Sequence, residues 1–297
     1  MSQMNKDSSI ITSVLIPSYN HEQYITDSLN SILKSNTHNI ELIISDDCSQ
    51  DHSYKIAENW VALHKHLFFS VFLYKQSKNL GIVKNFDFLI KKSSGEFVTF
   101  LGSDDVLSTN AIDFQTQYLI EHDVSFLFCN RDLINELGIV ITKNYVGFIR
   151  QILIKNSFFS KVDIIYNWGI PWSGFFARKT AVQKLGQIPQ KLSFEDRWVI
   201  FRVLQTSGYA YFNKTSCSYR IRTDNSPTPS LNKSIILRDL KFIELEALKK
   251  SKGILYFLLF FYLLPDLKNT NNYVLKKLYK IPKKIIKNLY LFLIKIF

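Results

Sequence analysis

The sequence is short of the residues that mark several protein classes. Its three cysteines, Cys48, Cys129 and Cys217, are odd in number, far apart and without a CxxC pair. That excludes a disulfide framework and paired-cysteine zinc, and points to a reducing compartment. Ten glycines and seven prolines in 297 residues are too few for a collagen-like or proline-rich chain. No period of about 20 to 50 residues marks a solenoid or propeller. Walker A, GxGxxG, GxSxG and HExxH patterns are all missing, so P-loop, dinucleotide, α/β-hydrolase and zincin chemistries have no foothold. His64 and His66 flank a lysine at i and i+2 on a predicted helix, where side chains do not face each other, and read as surface residues.

Long apolar runs are also scarce. The longest, ILYFLLFFYLL at 254–264, lies between Gly253 and Pro265. As a helix it reaches only ~16 Å against a hydrocarbon core of ~30 Å, too short to cross. The opening MSQMNKDSSIITS carries no apolar core of a signal peptide, so residues 1–9 read as a flexible leader.

What is present is enough to fold. Apolar residues make up 46% and charged residues 21%, which places most of the chain in a globular α/β class rather than a disordered one. The net charge of +12 suggests a nucleic-acid binder until its distribution is read. Residues 1–230 hold 23 Lys+Arg against 21 Asp+Glu, and residues 231–297 hold 14 against 4. A reader of nucleic acid carries its basic residues through the recognition domain, and here that body is nearly neutral. No nucleic-acid partner is expected.

From residue 10 short apolar runs alternate with helical stretches. ITSVLIP (11–17), IELIIS (40–45), FFSVFLY (68–74), FVTFL (97–101) and VSFLFCN (124–130) read as strands. Residues 21–35, 51–65, 83–92 and a segment after Ser108 or Thr109 read as helices. Strands buried on both faces give near-continuous apolar runs, so the expectation is a mostly parallel central sheet flanked by helices. Further on, 169–186 reads as strand then helix, 194–208 as helix, and 209–212 and 218–222 as two strands. Ser-Pro-Thr-Pro-Ser at 226–230 ends the body. The expected domains are therefore 10–230 and a basic amphipathic helical extension, 231–297.

Ligands of open parallel sheets bind beyond the carboxyl ends of the strands. Three strands there run into polar residues: Pro17-Ser18-Tyr19-Asn20, Asp46-Asp47-Cys48-Ser49-Gln50-Asp51 and Gly102-Ser103-Asp104-Asp105. Two acidic pairs converging on one edge repel unless a cation is bound or a proton retained, and a hard divalent ion is the simplest answer. The bland reading is that each pair only caps the helix that follows.

These segments, with Asn79-x-Gly81, Gly95-Glu96, Glu195-Asp196 and Tyr219-Arg220-Ile221-Arg222, resemble family 2 glycosyltransferases of the GT-A fold, over about residues 11–226. The resemblance implies an inverting transfer of a sugar from a nucleotide-sugar donor, a UDP-sugar, to a hydroxyl, with Mn²⁺ or Mg²⁺ on the diphosphate and a carboxylate as general base. By residue matching, Asp196 is the base. Pro17, Tyr19, Asp46, Lys84 and Ser103 meet the nucleotide, and Asp104 holds the metal with help from Asp105. Trp172, Glu195 and Arg222 fall to the acceptor or the donor sugar. Two departures stand out. Gly102 replaces an acid that relatives often carry, and Arg222 stands where relatives commonly show histidine; a guanidinium pairs with a diphosphate but cannot ligate a metal.

From 267 to 297 there are eight lysines and no acid, interleaved with Leu, Ile, Tyr and Phe. This is the composition of an interfacial anchor, and implies a peripheral position on the cytoplasmic face of a membrane. The alternative is helices packed on the domain or on a partner chain. An anchored transferase suggests a saccharide or lipid-linked saccharide acceptor in surface-polysaccharide assembly, O-antigen or capsule. Two other functions stay open on the sequence: a nucleotidyltransferase making sugar nucleotides, and a non-catalytic sugar-nucleotide-binding module.

Overall fold

The computed structural model describes residues 11–145, 172–206, 208–222, 233–253 and 256. The expected leader, the segment 146–171, the Ser-Pro-Thr-Pro-Ser stretch and nearly all of 254–297 lie outside the described residues. The chain divides into two compact units: Met1–Tyr145 with Pro171–Glu195 and Phe212–Pro229, and Val146–Ile170 with Asp196–Tyr211 and Ser230–Phe297.

The first unit carries β1 (Thr12–Ser18), α1 (Ile25–Ile32), β2 (Ile40–Asp46), α2 (Ser53–His64), β3 (Ser70–Lys75), α3 (Ile82–Lys92) and β4 (Phe97–Phe100). These are the βαβ units read from the sequence. They continue with β5 (Val106–Leu107), α4 (Ala111–Glu121), β6 (Phe126–Ile134), β7 (Val140–Thr142), β8 (Phe176–Arg178), α5 (Lys179–Lys184) and most of β9 (Tyr209–Arg220). The sheet runs β3-β2-β1-β4-β8-β6-β9-β5, with β7 paired to β6. Its first four strands are parallel. Beyond β4 the pairings of β8 with β4 and β6, β5 with β9, and β7 with β6 are antiparallel. The parallel half matches the sequence pattern, since every residue of β2 and β4 is buried. The two strands expected at 209–212 and 218–222 form one, because Asn213–Cys217 continue the extended run, while β5 and β7 are too short to leave a pattern.

Helix α3 buries Val83, Asn85, Phe86 and Leu89 against the parallel strands. Phe86 stacks on Phe100 of β4, with ring centroids 4.0 Å apart and planes 17° from parallel. Asn85 donates from Nδ2 to the Ser45 carbonyl at 3.0 Å, which fixes α3 along the end of β2. Gly81 precedes α3 at φ +81°, a left-handed conformation that glycine adopts at little cost.

The second unit contains α6 (Asp196–Leu204) and α7 (Lys233–Lys250). Arg197 of α6 pairs with Glu244 of α7 at 2.7 Å, both side chains nearly fully buried. Trp198 and Phe242 stack with centroids 6.4 Å apart. Gln205 donates to the Ala247 carbonyl at 3.2 Å. The opening helix of the expected extension thus packs on α6, with Ile243 and Ala247 buried. No helix among the described residues is long and apolar enough to cross a membrane.

Candidate active site

The parallel register sets Ser18 beside Asp46, and Leu15 beside Phe100, so the three polar strand ends emerge side by side. A hydrogen-bonded chain then links the loops. Ser49 closes on Asp46, donating from its backbone N at 3.0 Å and from Oγ at 2.6 Å. The same Ser49 Oγ accepts from Asn20 N at 3.0 Å, and Asn20 Oδ1 accepts from Gln50 N at 2.8 Å. Asp51 accepts from the backbone of Ser53 at 2.9 Å and of Glu22 at 3.0 Å. Asn20 and Cys48 both sit at positive φ, the tight turns this lacing requires. Tyr19 projects beyond β1 with 42% of its surface exposed, an aromatic face available to a base, and Pro17 is half-buried just before it.

Asp47 and Asp105 are hydrogen-bonded into the fold. Asp47 is buried and accepts from Leu80 N at 2.7 Å and Gly81 N at 2.9 Å, holding the turn that launches α3. Burial pushes its carboxyl above the usual range; those two N–H groups oppose the shift and the neighbouring Asp46 adds to it. Asp105 likewise turns inward. Its Oδ2 accepts from Ser173 Oγ at 2.8 Å and its Oδ1 from Arg220 N at 3.0 Å. Burial, reinforced by the Asp104 charge, raises its pKa to about 7.

Asp104 is the outward member. No hydrogen bond to its carboxylate is found among the described residues; His21 Nε2 and Arg222 Nη1 each stand 3.7 Å from its Oδ2. Arg222 Nη1 lies 2.8 Å from His21 Nε2. A guanidinium only donates, so Nε2 is the acceptor and the imidazole proton sits on Nδ1, donating to Ser103 Oγ at 2.7 Å. His21 and Arg222 line a cavity of about 270 Å³ together with Asn20, Glu22, Tyr24 and Asp51. Thus Pro17, Tyr19, Asp46, Ser103, Asp104 and Arg222 gather at one end of the parallel strands. Lys84 is exposed on the first turn of α3, the helix that Asn85 fixes beside β2.

Trp172 is half-buried and leans on an aromatic cluster, stacked on Phe175 at 4.8 Å and Phe100 at 6.1 Å. Its Nε1 donates to Glu195 Oε1 at 3.0 Å. Glu195 ends the first unit's segment and the next residue, Asp196, opens α6 in the second unit. Burial raises the Asp196 carboxyl, against the backbone N–H of Arg197, which donates to Oδ1 at 2.6 Å, and the Arg197 charge.

Sequence reasoning missed His21 and the part Ser49 plays in orienting Asp46. Ser49 is legible in retrospect as a serine three residues after a strand-end aspartate, the spacing of an Asx-type turn. His21 left no signal beyond standing next to Asn20.

The donor set bears on the divalent ion that the resemblance implies. Among the described residues no group of three or more His, Cys, Asp or Glu is placed to hold a metal. Asp105 has both oxygens engaged, while the Asp104 carboxylate is unclaimed by hydrogen bonds. One carboxylate suits a hard ion that takes its remaining oxygens from phosphate and water. Among the described residues the carboxylate placed for such an ion is that of Asp104, with Arg222 and His21 each 3.7 Å from its Oδ2.

A parallel sheet with polar side chains gathered beyond its strand ends, extended by antiparallel strands, is the GT-A fold. The solved structure of Staphylococcus aureus TarS 1-349 with UDP-GlcNAc shares it, at a TM-score of 0.66 and 19% identity, covering 91% of this chain and 78% of that one. The mannosyltransferase PcManGT from Pyrobaculum calidifontis, solved with GDP-Man and Mn²⁺, aligns at 0.59 and 14% identity over 95% and 84% of the two chains. Residues 13–186 match the family described as Glycosyl transferase family 2, and the chain belongs to that family. The Escherichia coli UDP-Glc:alpha-D-GlcNAc-diphosphoundecaprenol beta-1,3-glucosyltransferase WfgD is 32% identical over 131 residues, 44% of this chain and 49% of its own length. The chain spans about half the length of the curated relatives it matches first.

Proposed function

We propose that the protein is an inverting glycosyltransferase that moves one sugar from a UDP-sugar to a saccharide or lipid-linked saccharide in surface-polysaccharide assembly. The observation that carries this reading is the convergence of Tyr19, Asp46, Ser103 and Asp104 at one end of the parallel strands, in a family 2 chain. UDP-sugar use is supported by the names of two similar proteins, one a UDP-Glc enzyme and the other solved with UDP-GlcNAc.

In this reading Tyr19 stacks on the uracil and Asp46, oriented by Ser49, accepts a hydrogen bond from it. Ser103 meets the ribose, and Lys84 is a second contact to base or phosphate. Arg222 pairs with the diphosphate by charge-assisted hydrogen bonds, its neighbour His21 fixing its direction. Asp104 would hold Mn²⁺ or Mg²⁺, which supplies Lewis-acid stabilisation of the leaving diphosphate; Asp105 holds the Asp104 loop from behind. The acceptor hydroxyl forms a bond to the anomeric carbon as the bond from that carbon to the diphosphate oxygen breaks. Asp196 takes the hydroxyl proton, and burial, by raising its pKa, makes it a stronger base than a solvated aspartate. Glu195 and Trp172 contact the acceptor side. The lysine-rich stretch 267–297, with eight lysines and no acid, meets anionic lipid at the cytoplasmic face.

The test is UDP release from UDP-Glc and UDP-GlcNAc by purified protein given a saccharide-lipid acceptor. Turnover that Asp196→Asn abolishes while UDP still binds supports the reading. A protein that binds neither UDP nor either donor refutes it.

A further inference from the structure

Arg220, the last residue of β9, is 3% exposed and belongs to no role derived above. Its side chain is held from four directions. Nε donates to the Asp104 carbonyl at 2.8 Å, and Nη1 donates to the Glu136 carbonyl at 2.8 Å and to that of Asn135 at 3.3 Å. Nη2 reaches Asp27 Oδ2 at 3.1 Å. The guanidinium also lies over the Tyr24 ring, 4.8 Å from its centroid. Its own backbone N–H binds Asp105 at 3.0 Å. One residue therefore ties α1, the turn after β6, the Asp104 peptide and the Asp105 carboxylate together, all within the first unit.

A buried guanidinium is costly unless its charge and donors are matched, and three carbonyls and a carboxylate match this one. The arrangement has a direction. Arg220 takes the carbonyl of Asp104 and the carboxylate of its neighbour Asp105, and leaves the Asp104 carboxylate alone. Holding the Asp104 carbonyl restrains the backbone from which that side chain leaves, so the clamp steadies the side chain without competing for its oxygens. The adjoining β5, paired with Ser218 and Cys217 of β9, extends the same hold along the backbone. A lysine keeps the charge but lacks the planar fork needed to reach Asp104, Glu136 and Asp27 at once.

We propose that Arg220 is a positioning residue that holds the Asp104 carboxylate in place for a divalent cation bound to the diphosphate of the donor. This rests on the nucleotide-binding reading of the same strand ends. It assigns Arg220 no contact with substrate.

The experiment measures UDP affinity by calorimetric titration with MnCl₂ and with EDTA, for the full chain, Arg220→Lys and Asp27→Asn. The readout is the ratio of the two affinities, with thermal unfolding recorded alongside. Expected is a metal-dependent gain in the unaltered protein that falls ~10-fold or more in Arg220→Lys, the scale of a lost outer contact to a metal ligand. UDP affinity in EDTA stays unchanged, because Tyr19 and Asp46 are untouched. Asp27→Asn removes only the half-exposed partner, 58% exposed, and lowers the ratio by a factor of ~2 to 3. A purely structural role would lower the unfolding temperature and leave the ratio intact. A folded Arg220→Lys with the original ratio overturns the proposal; if that variant does not fold, an unchanged ratio in Asp27→Asn overturns it. An unaltered protein that binds no UDP at all removes the nucleotide-binding reading, and the proposal with it.

Discussion

Gly102 is the sharpest point at which the site is open to perturbation. Its φ lies outside the left-handed range, so the backbone there does not demand glycine. Space does. A Cβ built on Gly102 stands 2.9 Å from Asp104 Oδ1 and 3.1 Å from Asp105 Oδ2, where ordinary contact begins at 3.4 Å. In Gly102→Ala one carboxylate must therefore give way, by 0.5 Å in the tighter case. Asp105 is pinned by Ser173 and by the Arg220 backbone, and losing either bond costs about 1–3 kcal/mol. Asp104 has no such bond to lose, and a carboxylate turned ~30° off its rotamer costs only about 0.5–1.5 kcal/mol. The strain falls on Asp104. The expected outcome is a protein within ~1.5 kcal/mol of the original stability whose metal-dependent UDP affinity drops ~10- to 100-fold, or about 1.4–2.7 kcal/mol. Calorimetric titration with MnCl₂ against EDTA, beside a urea melt, reads both quantities. An unchanged affinity ratio refutes the reasoning, as does a stability loss beyond ~3 kcal/mol, which would mean that Asp105 moved.

Other outcomes follow from the same geometry. Asp196 acts only when deprotonated and its pKa is raised by burial, so kcat should begin to fall on acidification above the usual aspartate range; a pH–rate profile flat down to pH ~4 contradicts this. Burial pushes the Cys129 thiol up to about 12 and raises that of Cys217 as well, whereas Cys48 is half-exposed. Iodoacetamide on the native protein should therefore label Cys48 and leave the other two until denaturant is added, as peptide mapping would show. Trp172→Phe keeps the ring on Phe175 and Phe100 but deletes the donor to Glu195, and should cost about 1.5–3 kcal/mol in a urea melt. A loss near zero would mean that the bond contributes nothing.

Much of the parallel half was legible because burial on both faces leaves little room for polar residues, and β2 shows this with seven buried positions in a row. The antiparallel half was less so. Strands of two and three residues such as β5 and β7 are defined by the partners they meet rather than by period, and those partners lie far along the chain. Long-range pairing also joined 209–212 and 218–222 into β9, since Asn213, Lys214 and Thr215 are poor apolar markers whichever state they adopt. The extension shows a different limit. Composition marked 231–297 as basic, yet on α7 Glu244 pairs with Arg197 and Phe242 stacks on Trp198 of α6, a helix in an earlier stretch of sequence. A count of charges averages over the whole extension and does not mark the helix that packs.

The acidic pairs show why two readings of one motif could both be right. Taken singly, each Asp-Asp step allowed an architectural or a ligand-binding role, and Asp47 and Asp105 take the architectural one. Asp47 and Asp105 face backbone N–H groups of segments far along the sequence, Leu80-Gly81 and Arg220. Asp46, also buried, accepts from Ser49. Asp104 and Asp105 lie in the turn between β4 and β5, where Asp105 is buried and hydrogen-bonded through both oxygens while Asp104 stays part-exposed. The inward one supplies acceptors for loops that have lost their ladder partners, which is how a turn beside a polar cleft avoids buried unsatisfied donors. It also keeps its proton more readily, as the value of about 7 for Asp105 indicates, and so reduces the repulsion that two adjacent carboxylates would otherwise impose.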